Sequence, residues 1–483
     1  MFQTIKYRYK SNLIKMNRMM DSIDFREQNN KSSRVRDGDE IINRKIYSKN
    51  EVLGDVTGEP INGNFENFEL GMPIRSNYSI KKPEHDPNSY TDFNLFSQKI
   101  PSSNIKSFDP ISGGSSNFAD IEGSMTKIST QLKPVAICSD EITKLAVIKF
   151  LSLKNAMGDN TFGVNSLGLY TIFAYIYGAS DSLTEIELKK YFNYPEKNNL
   201  LKGLDNIINE INVVDSIFNL KNIILLDEDY PCSSKYTTKM QKFTTIISAN
   251  SNNPNKHLEA EKINKYLHKF TKLEGNKKII TVNNLVNLDS ILINTLNISP
   301  IWEYEFDEAI MNNFYINLNE TYEMPFLRGI MMSFNYYEDE NVKMIEIPMI
   351  KNIATMGIIL PKKKNIEIER IKYYISQMKN IVFEDVIIPM FIQHFKIRYT
   401  DLLKETGLQT IFKKLSCPNL LQEEIALTDV IQNIHITIDN KFHLKRSEMK
   451  NKTKTNKTFI ANVPFIYYFR LTDSNTIFYM GKF

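Results

Sequence analysis

Hydrophobic positions change their spacing along this chain. Up to about residue 135 no period is sustained, and turn-forming clusters such as Lys81-Lys82-Pro83-Glu84-His85-Asp86-Pro87-Asn88 and Ser112-Gly113-Gly114-Ser115-Ser116 recur. Such a stretch reads as a largely disordered leader, or a tether with short ordered pieces; a partner-binding arm is the other reading. From about 140 the spacing becomes helical. Ile142 to Leu151 has apolar residues three and four apart, and Leu167 to Tyr177 is apolar nearly throughout and stops at Gly178. Ser182 with Glu185 predicts a capping box, and further amphipathic helices are expected over 201–213 and 259–272. The period then shifts towards two. Strands are expected at Lys343–Pro348, Ala354–Pro361, Phe395–Tyr399 and Ile434–Asp439. The last 25 residues hold two aromatic and β-branched runs, Pro464–Phe469 and Thr476–Met480, around the polar turn Thr472-Asp473-Ser474-Asn475. That pattern predicts a buried hairpin. Helices followed by strands give an α+β class with large sheets.

Composition narrows the function classes. A net charge of +4, with Lys and Arg spread among Asp and Glu, does not point to nucleic acid. No apolar run reaches 18 residues, and the basic N-terminus lacks the apolar core of a secretory signal. An intracellular protein is therefore expected, cytoplasmic, or within the host cell if the chain is viral. Cys138, Cys232 and Cys417 are far apart and odd in number, which fits reduced thiols; one stray pair is the alternative. Of the six histidines, His257, His268, His394, His435 and His443 show no ligand or triad spacing, and no phosphate-cradling glycine loop is present. Glu338-Asp339-Glu340 reads as a solvated turn. No catalytic, metal or cofactor residue is singled out, and an enzyme is not expected.

The terminal stretch FIANVPFIYYFRLTDSNTIFYMGKF closely resembles the C-terminal signature of the serpins. Other pieces resemble the family in order: Asn160-Thr161-Phe162 through Ser180; Ile291–Leu296 followed by Pro300–Asp307, with the single Trp302; Met324-Pro325-Phe326-Leu327; Ile345–Pro348; Met356–Pro361; and Phe395–Phe412. The resemblance implies one domain over 136–483 after a leader at 1–135. It implies a bundle of eight or nine helices packed on three β-sheets, with a long exposed reactive loop. In the family a protease cuts that loop, whose first half then inserts into the central sheet and drags the acylated protease with it. No metal or cofactor takes part. The implied partner is a target protease or another protein, with no nucleic acid or membrane, and the protein is expected to be a monomer.

The hinge departs from the family pattern. Asn440-Lys441-Phe442-His443-Leu444-Lys445-Arg446-Ser447-Glu448 stands where the family has a Gly and a run of small residues. Phe442 falls at the Gly, and Lys445 would be buried and unpaired after insertion, a cost of several kcal/mol. The loop is also about three residues shorter than usual, judged from Asp439 to Pro464. The scissile bond is counted either to Thr453-Lys454 or to Asn456, in a basic run that includes Lys452. That run is open to a trypsin-like enzyme or is simply a solvated polar loop. At the gate of the central sheet, Asn294 is retained, Trp302 falls at the family Trp, Gln432 stands for the family His, and Val164 and Leu167 stand for two serines, with Ser166 nearby. Two functions remain open: a non-inhibitory binding or structural module, which could serve as substrate or decoy, and a suicide-type inhibitor of a serine or cysteine endopeptidase.

Overall fold

The computed structural model describes residues 118–213, 216–271, 278–317, 320–363, 366–445 and 456–483. Helix α1 (Phe118–Met157) carries Pro134 within it and runs across the boundary expected at residue 135. A short strand, β1 (Phe162–Asn165), leads directly into α2 (Ser166–Ala179). Asn165 caps α2 by accepting from the Gly168 amide, which satisfies one of the donors a helix start leaves open. α2 is buried at every position except Gly178, as expected of a helix that is apolar all round. Gly178 does not stop it. A Cβ there would stand 2.6 Å from the Tyr236 hydroxyl, so close packing requires the glycine.

α3 (Ser182–Phe192) starts from Asp181, and the expected capping box is not formed. Ser182 is the first helical residue, at φ 48°. Asp181 accepts from the Ser416 hydroxyl at 2.8 Å, and Glu185 pairs with Lys197 at 2.7 Å. Tertiary partners thus claim both side chains. α4 (Lys197–Asn212) begins earlier than its apolar spacing indicates, while its buried face, Leu200, Leu204, Ile207, Ile208 and Ile211, follows that spacing. Strand β2 (Phe218–Asp227), helix α5 (Ser234–Met240), strand β3 (Thr245–Ala249) and helix α6 (Lys256–Thr271) follow. Strands are thus interleaved with helices in the first half, which the helix-first reading did not foresee.

The second half is mostly sheet: β4 (Ser290–Ile298), β5 (Trp302–Tyr304), β6 (Glu308–Asn317), β7 (Glu320–Glu338), β8 (Val342–Pro348) and β9 (Ala354–Pro361). After α7 (Ile371–Ser376) come β10 (Lys379–Pro389) and β11 (Phe391–Arg398). α8 (Thr400–Glu405) precedes β12 (Leu427–Ile438), β13 (Phe442–Leu444) and β14 (Thr458–Ile460). β15 (Ile466–Leu471) and β16 (Ile477–Lys482) close the chain. Among the described residues there are three sheets. A nine-stranded sheet runs β1-β16-β15-β9-β8-β7-β10-β14, with β6 added on β7; a five-stranded sheet runs β11-β12-β4-β2-β3; β13 and β5 form a pair. With eight α-helices, this is the α+β architecture the resemblance implies.

The five-stranded sheet divides the interior by strand alternation. Leu292, Leu296 and Ile298 of β4, with Ile434, Ile436 and Ile438 of β12, face the main core that holds α2 and the C-terminal hairpin. Ile291, Ile293 and Ile431 face the other way, onto Ile263 and Leu267 of α6. β15 and β16 form the expected hairpin, buried almost throughout. Arg470 and Glu346 form a buried ion pair at 2.5 Å, to which the Tyr468 hydroxyl adds a bond at 2.9 Å. Glu210 of α4 accepts from the amides of Asp473 and Ser474, and so holds the hairpin turn.

Candidate functional site: a sheet seam and the two roots of a loop

Within the five-stranded sheet, β4 and β12 run parallel and side by side, with Asn294 opposite Gln432. This is a seam with a particular geometry. A segment that left the end of β12 and folded back between the two strands would run antiparallel to both.

Side-chain amides close the seam on the α2 side. Gln432 Nε2 donates to Asn294 Oδ1 and to the Asn165 carbonyl, each at 2.9 Å. Its Oε1 accepts from the Asn165 amide at 2.9 Å and from the Tyr399 hydroxyl at 3.3 Å. Asn165 Nδ2 donates to Asn294 Oδ1 at 2.8 Å, and Asn294 Nδ2 donates to Asn222 Oδ1 at 2.7 Å. Burial pushes the Tyr399 phenol far up, so it remains a donor. Every member is nearly solvent-free, and the Gln432 amide has used all its bonding capacity. Gly168 makes the cluster possible, because a Cβ there would lie 2.0 Å from Asn294 Nδ2.

Asn294 and Gln432, both singled out in the sequence, are therefore brought together. Trp302 is not with them; it lies beyond the end of β4. Val164 and Leu167 are buried in the apolar core, and the Ser166 hydroxyl donates to the Phe478 carbonyl at 3.1 Å, away from the seam. Sequence reasoning missed Asn165, Asn222 and Tyr399. Only Asn165 carried a signal, an N-cap residue just ahead of a buried helix.

At its first root the loop is zipped down. Past β12, β13 pairs parallel with β5, Phe442 opposite Trp302 and Leu444 opposite Tyr304. The Trp302 amide donates to the Lys441 carbonyl at 2.7 Å, Glu305 N to the Leu444 carbonyl at 3.1 Å, and Trp302 Nε1 to the Asp439 carbonyl at 2.8 Å. Lys441 Nζ donates to Ser299 Oγ at 2.7 Å and pairs with Asp439 at 3.0 Å. Trp302 is completely buried, with its ring edge-on to Phe306 at 5.9 Å. Asn440 and Phe442 are half-buried, while Lys441, His443, Leu444 and Lys445 are exposed. Arg446, Ser447, Glu448, Lys452, Thr453 and Lys454 lie outside the described residues. Asn456 is described and exposed.

The other root is held by a carboxylate that the sequence reading left in solvent. Glu338 accepts from Lys362 at 2.6 Å, from Lys457 at 2.8 Å and from the Tyr336 hydroxyl at 2.6 Å. These hydrogen bonds, Lys362 foremost, pull its carboxyl down to about 2. Asp339 accepts from the amides of Asn341 and Val342, and Glu340 pairs with Lys363. The acidic turn is therefore an anchor at Glu338, and only Glu340 is exposed.

The rest of the described chain offers little chemistry. No group of three or more His, Cys, Asp or Glu among the described residues could hold a metal ion. All three cysteines are unpaired, and burial pushes the Cys138 and Cys417 thiols up to about 12, which makes them poor nucleophiles. No helix of the described residues is long and apolar enough to cross a membrane.

Comparison with known proteins agrees with this geometry. The family model for Serpin (serine protease inhibitor) matches residues 140–483. An uncharacterized serpin-like protein, R700, of Acanthamoeba polyphaga mimivirus is 24% identical over 335 residues, covering 63% of this chain and 80% of that protein. Serine protease inhibitor 42Dd of Drosophila melanogaster is 22% identical over 341 residues, covering 66% of this chain and 90% of its own. Uncleaved ovalbumin has a similar fold, with a TM-score of 0.65 at 16% identity, covering 72% of this chain and 99% of ovalbumin. A continuous family match over most of the chain, and a fold shared with ovalbumin, lead to one conclusion: this chain belongs to the serpin family.

Proposed function

We propose that this protein uses the serpin scaffold as a binding or decoy module. Its loop faces a protein partner, is open to cutting, and does not enter the seam. The hinge zipped onto β5 carries this reading. Insertion would have to break the backbone bonds at Lys441 and Leu444, and the Trp302 Nε1 bond at Asp439. It would also have to bring Phe442 and Lys445 into a packed sheet. Burying Lys445 without a partner costs several kcal/mol. Trapping a protease requires insertion to outrun hydrolysis of the acyl-enzyme. About 3 kcal/mol added to the insertion barrier slows it more than about 100-fold.

In this reading the run Asn440–Glu448 is the hinge, and the region around Lys452–Lys454 or Asn456 is where a protease cuts. Asn294, Gln432 and Trp302 hold the sheet and hinge closed. The protein is not a catalyst, uses no cofactor and acts as a monomer. Its three unpaired thiols fit a reducing, intracellular compartment. Residues before 136, apart from the start of α1, form an extension to the scaffold.

A suicide-type inhibitor of a serine or cysteine endopeptidase is the second reading. It is favoured by the parallel β4–β12 seam, which offers a slot for a strand, and by the relative named as a serine protease inhibitor. Incubation with trypsin-like and cysteine proteases separates the two. Nicking without an SDS-stable complex, and with no large rise in Tm, is the expected result. A covalent complex, or a nicked form that melts far higher, would overturn the module reading in favour of the inhibitor.

A further inference from the structure

Two lysines stand at the roots of the loop, and both are held. Lys441 is tied to Asp439 and Ser299 at the first root. At the second, the Lys457 ammonium is 2.8 Å from Glu338 Oε2 and 4.4 Å from the Tyr336 ring centroid. The Lys457 carbonyl accepts from the Glu384 amide at 2.8 Å. The next residue, Thr458, is already in β14, paired with β10 opposite Asp385. Phe459 is buried in the same strand, edge-on to Tyr336.

An endopeptidase of basic specificity must draw the side chain before the cut bond into its pocket. It must also take several flanking residues as a free extended strand. Lys457 offers neither. Its cation is committed to a carboxylate, and its neighbours are committed to a sheet. Proteolysis adds one water across a peptide C–N bond and leaves a carboxyl and an amine, so the choice of bond depends on access to that chemistry.

We infer that Glu338, by holding Lys457, is a positioning residue that closes the Lys457–Thr458 bond to a trypsin-like protease. This rests on the proposal that the loop is what a protease meets. It does not depend on whether the cut loop inserts.

The test is brief digestion of the full chain with trypsin, with cut positions read by intact mass. In the unaltered protein, the fragment beginning at Thr458 should form about two- to fivefold more slowly than in E338Q, relative to the earlier cuts. E338D, shorter but still anionic, should restore much of the block. If E338Q does not fold, the unaltered chain serves: raising ionic strength from about 0.02 M to about 0.5 M weakens a partly exposed ion pair. The cut after Lys457 should then gain on the others. A Thr458 fragment that appears as early as any other in the unaltered protein, or one that responds neither to E338Q nor to salt, would overturn the inference. A covalent protease complex would sink the module reading and leave this one standing, because the two are read from different products.

Discussion

Lys149 shows what a single residue can cost. It lies on α1, 1% exposed, with its ammonium bonded to the Tyr191 hydroxyl at 2.6 Å and to Thr406 Oγ1 at 3.0 Å. Burial is the only cause acting on its pKa, which falls from 10.5 to about 8. The folded state therefore disfavours the charged form. Between about 8 and 10.5 the unfolded chain holds the proton more tightly, so stability should rise with pH across that window and stay flat below it. Lys149→Met removes the buried charge at similar volume. Tyr191 and Thr406 remain bonded to each other at 2.5 Å. We expect the variant to be more stable at pH 7 by about 1–3 kcal/mol, and to lose the alkaline rise, both measurable by urea unfolding from pH 7 to 10. The apolar spacing of 142–151 located this helix correctly. It gave no hint that Lys149 lies inside, because the partners that receive it are on α3 and just past α8.

Elements were legible where their signal was local. β9 spans Ala354–Pro361 as its alternation indicates, and the C-terminal hairpin forms around the turn its polar residues mark. The hinge is different. Its residues are too few for periodicity, and its conformation comes from β5, whose Trp302 amide bonds the Lys441 carbonyl across 139 residues. Family-like small residues should loosen it. F442G with K445A removes the residue opposite Trp302 and the cation that resists burial. After loop nicking, this double variant should melt about 10 °C or more above its intact form, whereas the unaltered chain should not. Differential scanning calorimetry of the nicked and intact forms decides this, and an equal Tm for both forms of the double variant would show that the hinge is not the obstacle.

At the scale of the whole molecule, one buried amide cluster ties several layers together. The seam amides join β1, α2, β2, β4 and β12, so one deletion touches several layers. Asn294→Ala would leave Asn165 Nδ2, Gln432 Nε2 and Asn222 Oδ1 short of a buried partner. A loss of about 2–4 kcal/mol in urea unfolding is expected. Gln432→Ala should cost a similar amount, and the pair should be strongly non-additive because both belong to one network. The family resemblance, read from ordered motifs, already indicated the overall architecture, and it singled out Asn294 and Gln432, which the structure joins by a hydrogen bond. Consecutive residues determine periodicity, turn chemistry and motif order, so the buried α2, the terminal hairpin and the family were available from the chain itself. Asn165 meets Gln432 across 267 residues, and Lys457 meets Glu338 across 119. No local pattern encodes such partners, because burial and hydrogen bonding choose them only once the layers have packed. The tertiary structure alone therefore decided that buried amides bridge β4 and β12, that Phe442 pairs with Trp302, and that the acidic turn binds Lys457 through Glu338.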